Sequence, residues 1–327
     1  MSYSLRHIAL LFLLPVVAGC QRYDYDVADP VELHLLTSMP SPKASAAACT
    51  MERKLYVFGG RNQNGKVDSV LWCYDLDMDT WTAYSTPLKP RVKAIMQTDG
   101  ERLFMGLGYG EGRAYYDDKY FRDLWSYNPA TQIWEQLPTY QSMATVGAVA
   151  CIADDNLYVL YGNYGDQTRE CYTYSISQHQ WSALQRNNSA GTGKGRVGGI
   201  VGNTVCLGLG YDGANVRAMY QTDLLSSTWA TSHSLPGDGR VMAAATGTSE
   251  YLYVFGGRFF RGTLTGGKLY DEIWRFSPSE NHWEYVTSMP EGRAENQIAF
   301  TLNGQAGFGL GEDIDGKLLK NIYLIEE

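Results

Sequence analysis

The chain is poor in the residues that mark several protein classes. It has only 11 prolines in 327 residues, which excludes collagen-like and proline-rich linker compositions. Six cysteines, none in a C-x-x-C pair, exclude a disulfide scaffold and a zinc ribbon. Charged residues amount to 19 % with a net charge of −8, which argues against a general nucleic-acid binder, since such proteins are usually basic. The longest apolar run, from Ile8 to Ala18, falls short of the about 20 residues that a membrane-spanning helix needs. What is abundant is glycine, at 35 residues or about one in nine, together with 24 tyrosines, 10 phenylalanines and 8 tryptophans. Glycine and ring-bearing residues at this density point to many short strands joined by tight turns. A hydrophobic fraction of 44 % is enough for a core.

Arg6 and His7 precede the apolar run, which closes in Val17-Ala18-Gly19-Cys20. A short run with this flank has the form of a signal peptide. The four closing residues resemble the lipobox of bacterial lipoproteins. That resemblance implies cleavage after Gly19 and acylation of Cys20. Residues 1–19 then read as a signal peptide and 20–30 as a lipidated tether. A residue other than Asp after the lipidated cysteine implies the outer membrane of a Gram-negative cell, facing the periplasm or the cell surface. An ordinary signal peptide with an incidental cysteine is the alternative.

The rest of the chain repeats. Trp81, Trp134, Trp181, Trp229 and Trp283 are spaced by 53, 47, 48 and 54 residues. Nine residues before each stands another ring: Trp72, Trp125, Tyr172, Tyr220 and Trp274. Upstream, an apolar strand closes in glycine, as in Leu55-Tyr56-Val57-Phe58-Gly59-Gly60 and Leu252-Tyr253-Val254-Phe255-Gly256-Gly257. Each unit reads as four strands, A to D, and this pattern resembles the kelch repeat. The last unit stops after its strand C. Thr37-Ser38-Met39-Pro40 recurs as Thr287-Ser288-Met289-Pro290, an offset of 250 that places Leu33 at the position of Trp283. Residues 31–37 therefore predict the missing outer strand. The expected fold is all-β: a six-bladed kelch-type β-propeller over residues 31–327, closed by an N-terminal strand. A length prior of about 150 residues per domain suggests two domains, and the closed repeat overrules it.

Antiparallel order puts the D-to-A and B-to-C loops on one face. The B-to-C loops of units 2 and 5 are longest, and their residues Tyr115, Tyr116, Tyr120, Phe259 and Phe260 offer stacking area. Lys43, Arg91, Arg240 and Arg293 each stand sixteen residues before the end of a strand B, and Arg196 occupies a similar place in unit 4. Arg61 and Arg258 directly follow double glycines. These cations are predicted to ring the mouth of the central channel, where guanidinium groups favour an anion. Inter-blade ion pairing, with Glu295 or acids of a neighbouring blade, explains them equally. The resemblance supports the first reading, because kelch domains that take acidic peptides use Arg at similar positions.

Catalytic and metal signatures are sparse. His34, His179, His233 and His282 fall in different units, so no shared metal is predicted. Cys49, Cys73, Cys151, Cys171 and Cys206 lie in strands and read as buried thiols. A related kelch group epimerises or mutarotates sialic acid with Gly-Glu followed six residues later by Arg. Here Gly210 is followed by Tyr211 with Arg217 in place, while Glu312 follows Gly311 but Leu318 stands where Arg should be. Glu295 is the one rim carboxylate nominated for proton transfer. The leading expectation is a lipid-anchored binding module for an anionic small molecule, glycan, acidic peptide or protein partner. It calls for no cofactor and no nucleic acid. A sugar epimerase or mutarotase and a structural subunit of an envelope complex are the alternatives.

Overall fold

In a computed structural model, the structure describes residues 25–110, 120–142, 146–164, 167–168, 171–184, 193–223, 228–262 and 266–326. Six four-stranded antiparallel units follow one another around an axis, as the repeats require. Blade 1 comprises Ala47–Met51, Lys54–Phe58, Leu71–Asp75 and Thr80–Tyr84, in sequence order from the axis outward. Blades 2 to 4 repeat that order. The innermost strands contact their neighbours around the ring, so the core consists of the seams between blades.

The sixth blade closes as predicted. Glu32–Leu35 pairs antiparallel with Ile322–Glu326. Leu33 lies opposite Ile325, as Trp283 lies opposite Phe276 in blade 5. Joining the two ends of the chain in one sheet removes an unpaired edge at the seam.

The chain enters the fold before residue 31, a correction to the tether boundary. Asp26–Val27 adds a fifth, parallel strand to the outer edge of blade 5, against Glu284 and Tyr285. Tyr25 packs edge-on against Trp274 at 4.9 Å, and Ala28 N–H donates to Tyr285 O. The sequence signal was faint because two residues have no readable period. Cys20 lies outside the described residues.

The repeating tryptophans act between blades as well as within them. Tyr127 and Trp134 stack across one sheet with centroids 4.4 Å apart. The indole N–H groups of Trp81, Trp181 and Trp283 donate to Thr37 O, Pro138 O and His233 O, each at the strand D exit of the preceding blade. This bond fixes the period, since the indole must reach one particular carbonyl. The five cysteines from Cys49 to Cys206 are buried thiols outside any disulfide, and burial pushes the Cys206 thiol up to about 12.

Glycine is required where strand B ends. The second residue of the pair has φ of 93° at Gly60 and 95° at Gly257. A Cβ on Gly257 would stand 2.9 Å from the Ala243 Cβ, so both the backbone angle and the packing exclude a side chain.

Candidate functional site

The D-to-A and B-to-C loops share one face. Ala44 bridges to Arg61, Val241 to Arg258 and Lys194 to Tyr211, and Glu295 pairs with Glu312 in a two-stranded segment. The face therefore carries one layer of residues from each loop, and the predicted cations divide among these layers.

Lys43, Arg91 and Arg240 do not ring the mouth. All three are buried among the loops. Their side chains donate to Gly59 O, Leu107 O and Gly256 O, each sixteen residues ahead. Each also meets an acid at the foot of strand C: Lys43 meets Asp68, Arg91 meets Asp123 and Arg240 meets Glu272. Arg91 grips Asp123 through two bonds of 2.6 and 2.8 Å and donates Nε to Lys89 O. Burial pushes the Lys43 pKa down, against the opposing pull of Asp68.

Blades 2 and 5 build the arrangement alike. The Arg91 guanidinium lies 4.2 Å over Phe121 and Arg240 lies 4.0 Å over Tyr270. The Trp125 and Trp274 indoles donate to Asp123 and Glu272, each at 3.0 Å. The main chain of the same residues holds the preceding blade. Gly60 N–H donates to Arg91 O, Gly210 N–H to Arg240 O and Gly311 N–H to Lys43 O. The residue is a rivet, with its backbone on one blade and its side chain in the next. Of the two sequence readings, ion pairing describes these three, with acids of the following blade in place of Glu295.

Two assignments shift in register. Ala294 O takes the bond from Gly257 N–H, so Ala294 holds the rivet position in blade 6. Arg293 stands one residue earlier and is exposed. The spacing misled because the left-handed pair that follows strand B in blade 6 is Leu310-Gly311, and the residue sixteen before its first member is Ala294. Arg196 sits three residues beyond the rivet position. It is buried, with its guanidinium 5.2 Å over the Tyr161 ring.

The remaining rim charges are paired. Arg258 Nε and Nη2 each bond Glu295 at 2.8 Å, with both residues buried. This pair links blades 5 and 6, and the bond to Glu295 pushes the Arg258 pKa up. Arg61 pairs with Glu312 across the closing seam. Glu295 is thus engaged on both oxygens, which disfavours it as a free proton carrier. Phe259 and Phe260 lie on the hairpin formed by Arg258–Phe260 and Gly267–Leu269. Phe260 meets Tyr211 edge-on at 5.0 Å, and Tyr109 lies 6.0 Å from Tyr120. Tyr115 and Tyr116 lie outside the described residues. Arg217 donates to Leu235 O. Among the described residues, no group of three His, Cys, Asp or Glu gathers as metal ligands.

At the axis itself the sequence reading missed a residue. Ser45, Lys93, Gly147, Gly195, Met242 and Asn296, one per blade, all have left-handed backbone with φ between 53° and 64°. Ser45 N–H donates to Asn296 O, Lys93 N–H to Ser45 O, Gly147 N–H to Lys93 O and Asn296 N–H to Met242 O. These bonds run around the channel mouth. The six residues, with Arg196 and Gln297, line a cavity of about 160 Å³. Lys93 is the one charged residue among the six. Its signal was available two residues after each rivet, but only side-chain direction separates an axial cation from a buried one.

A ring of six kelch-type blades is the class that this fold defines. The KLHDC2/KLHL20/DRC7 Kelch-repeats domain model matches residues 29–210 and the Kelch motif matches residues 239–290. The chain belongs to the kelch-repeat family. It is similar to Kelch-like protein 35 of Mus musculus, 25 % identical over 166 residues, half of this chain and 27 % of that protein. It is also similar to the N-acetylneuraminate epimerase of Haemophilus influenzae (strain PittEE). That match is 35 % identical over 104 residues, 30 % of this chain and 26 % of the relative. Matches to the first three curated relatives span 27 to 42 % of their length. A solved structure described as "Structure of YjhT" superposes with a TM-score of 0.74 at 18 % identity, covering 89 % of this chain and 97 % of that one. That likeness concerns the fold.

Proposed function

We propose that this protein is a lipid-anchored extracytoplasmic binding module that takes an anionic or carbohydrate-like ligand on the face of the D-to-A and B-to-C loops. One observation carries the reading. That face surrounds a cavity at the axis with Lys93 and Arg196 in its lining and with Tyr109, Tyr211, Phe259 and Phe260 on the surrounding loops. Cations with aromatic neighbours suit a carboxylate attached to a body that stacks, such as a sugar acid or an acidic peptide. A protein partner at the same rim is compatible with this surface. The anchor rests on the Val17-Ala18-Gly19-Cys20 pattern, and the outer membrane on Gln21.

A second reading, a sugar epimerase or mutarotase, is supported by the partial match to an N-acetylneuraminate epimerase. The engagement of Glu295 with Arg258 and the Tyr211 that stands after Gly210 weigh against it.

Thermal shift of the purified protein against N-acetylneuraminate, uronic acids, acidic peptides and neutral sugars tests the first reading. NMR of anomeric exchange on any ligand found tests the second. Saturable stabilisation by an acid without faster exchange is the expected result. Faster exchange that is lost in Glu295→Gln favours the enzyme, and no stabilisation by any acid overturns the anion reading. Separately, a Cys20→Ala substitution is expected to move the protein out of the membrane fraction.

A further inference from the structure

Lys93 occupies an unusual place. The lysine chain extends toward the adjacent blade 3, with its Cδ 3.9 Å from where a Cβ on Gly147 would stand. Among the described residues no acid lies within ion-pair distance of its amine. The one acidic group that it feels is Glu295, through space, and Glu295 is already bound by Arg258. Every rivet cation has its own acid, and Lys93 has none. Gln297, which lines the same cavity, has a buried Oε1 without a hydrogen-bond partner. A desolvated ammonium without a counter-charge costs free energy, and a fold carries that cost where a ligand offsets it.

We infer that the axial cavity is a binding site for one small carboxylate, held by the Lys93 ammonium with Arg196 as the second cation of the lining. This inference rests on the anion-binding reading above and gives it a ligand class and a residue. The cavity, at about 160 Å³, has room for a group of the size of acetate, since one water takes about 30 Å³ of liquid. Beneath it lies a second cavity of about 190 Å³, lined by the innermost strands through residues such as Ala48, Ala94, Ala150 and Gly198. A carboxylate seated on Lys93 therefore has a further chamber of the channel below it.

The site also couples binding to a proton. Burial pushes the free Lys93 pKa below its ordinary 10.5, and a bound carboxylate pushes it back up. Among the described residues, the charged and titratable groups around this region include Arg196 with Asp212 acting on it, the Arg258–Glu295 pair, the Arg61–Glu312 pair and the phenols of Tyr109, Tyr161 and Tyr220. Glu295 and Glu312 are already paired with arginine, Asp212 acts on Arg196, and burial raises the Tyr109 pKa. Lys93 is thus the group of this set whose charge responds to the ligand. Affinity should fall about tenfold per pH unit once pH exceeds its free midpoint.

The test follows the Lys93 side-chain resonance by NMR in ¹³C-lysine-labelled protein, titrated with pH in the presence and absence of acetate. Acetate is expected to raise the Lys93 midpoint and to stabilise the wild type. Lys93→Gln should lose that stabilisation, and Lys93→Arg should keep acetate binding without its pH dependence. An unmoved Lys93 midpoint, or equal acetate stabilisation in Lys93→Gln, overturns the site. An equal response to chloride overturns its assignment to carboxylates. If N-acetylneuraminate stabilises wild type and Lys93→Gln alike, the face still binds acids and the axial site is wrong. If no acid stabilises either protein, both readings fall.

Discussion

Two sets of cations lie within a few residues of each other in sequence, and the fold treats them oppositely. Lys43, Arg91 and Arg240 each receive an acid from the foot of strand C of the following blade and become part of the joint between blades. Lys93, two residues beyond Arg91, stands at the axis with no acid of its own among the described residues. The left-handed backbone at Lys93 separates them, because it turns the chain from the loop into the innermost strand. A cation next to a supplied acid is scaffold. A cation that the fold leaves unmatched is available to something outside the chain.

The largest effect follows from breaking a joint. Arg91→Ala leaves Asp123 without its partner and removes the group that fills the space over Phe121. Removing one member of a buried pair costs about 3–5 kcal/mol, and the 23 % exposure of Asp123 places this case toward the lower end. Arg240→Ala should behave alike, since blade 5 is built alike. Arg293→Ala, exposed and out of register, should stay within about 0.5 kcal/mol of wild type. Urea denaturation of the three variants checks the contrast. If Arg293→Ala costs as much as Arg91→Ala, the distinction between rivet and surface fails.

A smaller effect is expected at the blade 5–6 pair. Glu295→Gln keeps the shape but leaves Arg258 buried beside a neutral amide. A hydrogen bond to a charged group contributes about 1.5–3 kcal/mol, so a loss within or below that range is expected on denaturation. Acetate stabilisation should survive, because Glu295 does not belong to the proposed ligand contacts. Its disappearance would assign Glu295 to the site instead.

The closure of the ring was legible because it depends on register. A four-residue repeat at an offset of 250 placed Leu33 at the position equivalent to Trp283, and Leu33 pairs with Ile325 as Trp283 pairs with Phe276. The sixteen-residue spacing of the cations was legible too, and it is real: the side chains of Lys43, Arg91 and Arg240 reach carbonyls sixteen residues ahead. Its meaning was hidden, since spacing does not say whether a side chain points into a joint or toward a channel. The deciding signal was the acid two residues before a strand C tryptophan, in Asp123-Leu124-Trp125 and Glu272-Ile273-Trp274. Lys93 could not be separated from Arg91 by type or spacing. The asymmetry appears only when all six left-handed residues stand around one axis and a single one is charged.

The smallest effect has the opposite sign, and it tests the comparison most directly. Lys93→Met removes a half-buried, unmatched charge, so without anions it should stabilise the fold by about 1.4 kcal/mol for each unit by which desolvation depresses the Lys93 pKa. The sign follows from proton counting. Between the depressed folded midpoint and the unfolded value of about 10.5, the unfolded chain binds more protons, so wild-type stability rises with pH. The advantage of Lys93→Met should therefore be greatest below the folded midpoint and vanish as pH approaches the unfolded value. Acetate should shrink it at neutral pH, by supplying to Lys93 the counter-charge that Asp123 supplies to Arg91. Paired denaturation curves of wild type and Lys93→Met across pH, with and without acetate, measure this difference. A variant less stable than wild type without acetate at neutral pH would place Lys93 among the rivets and remove the contrast between the two sets.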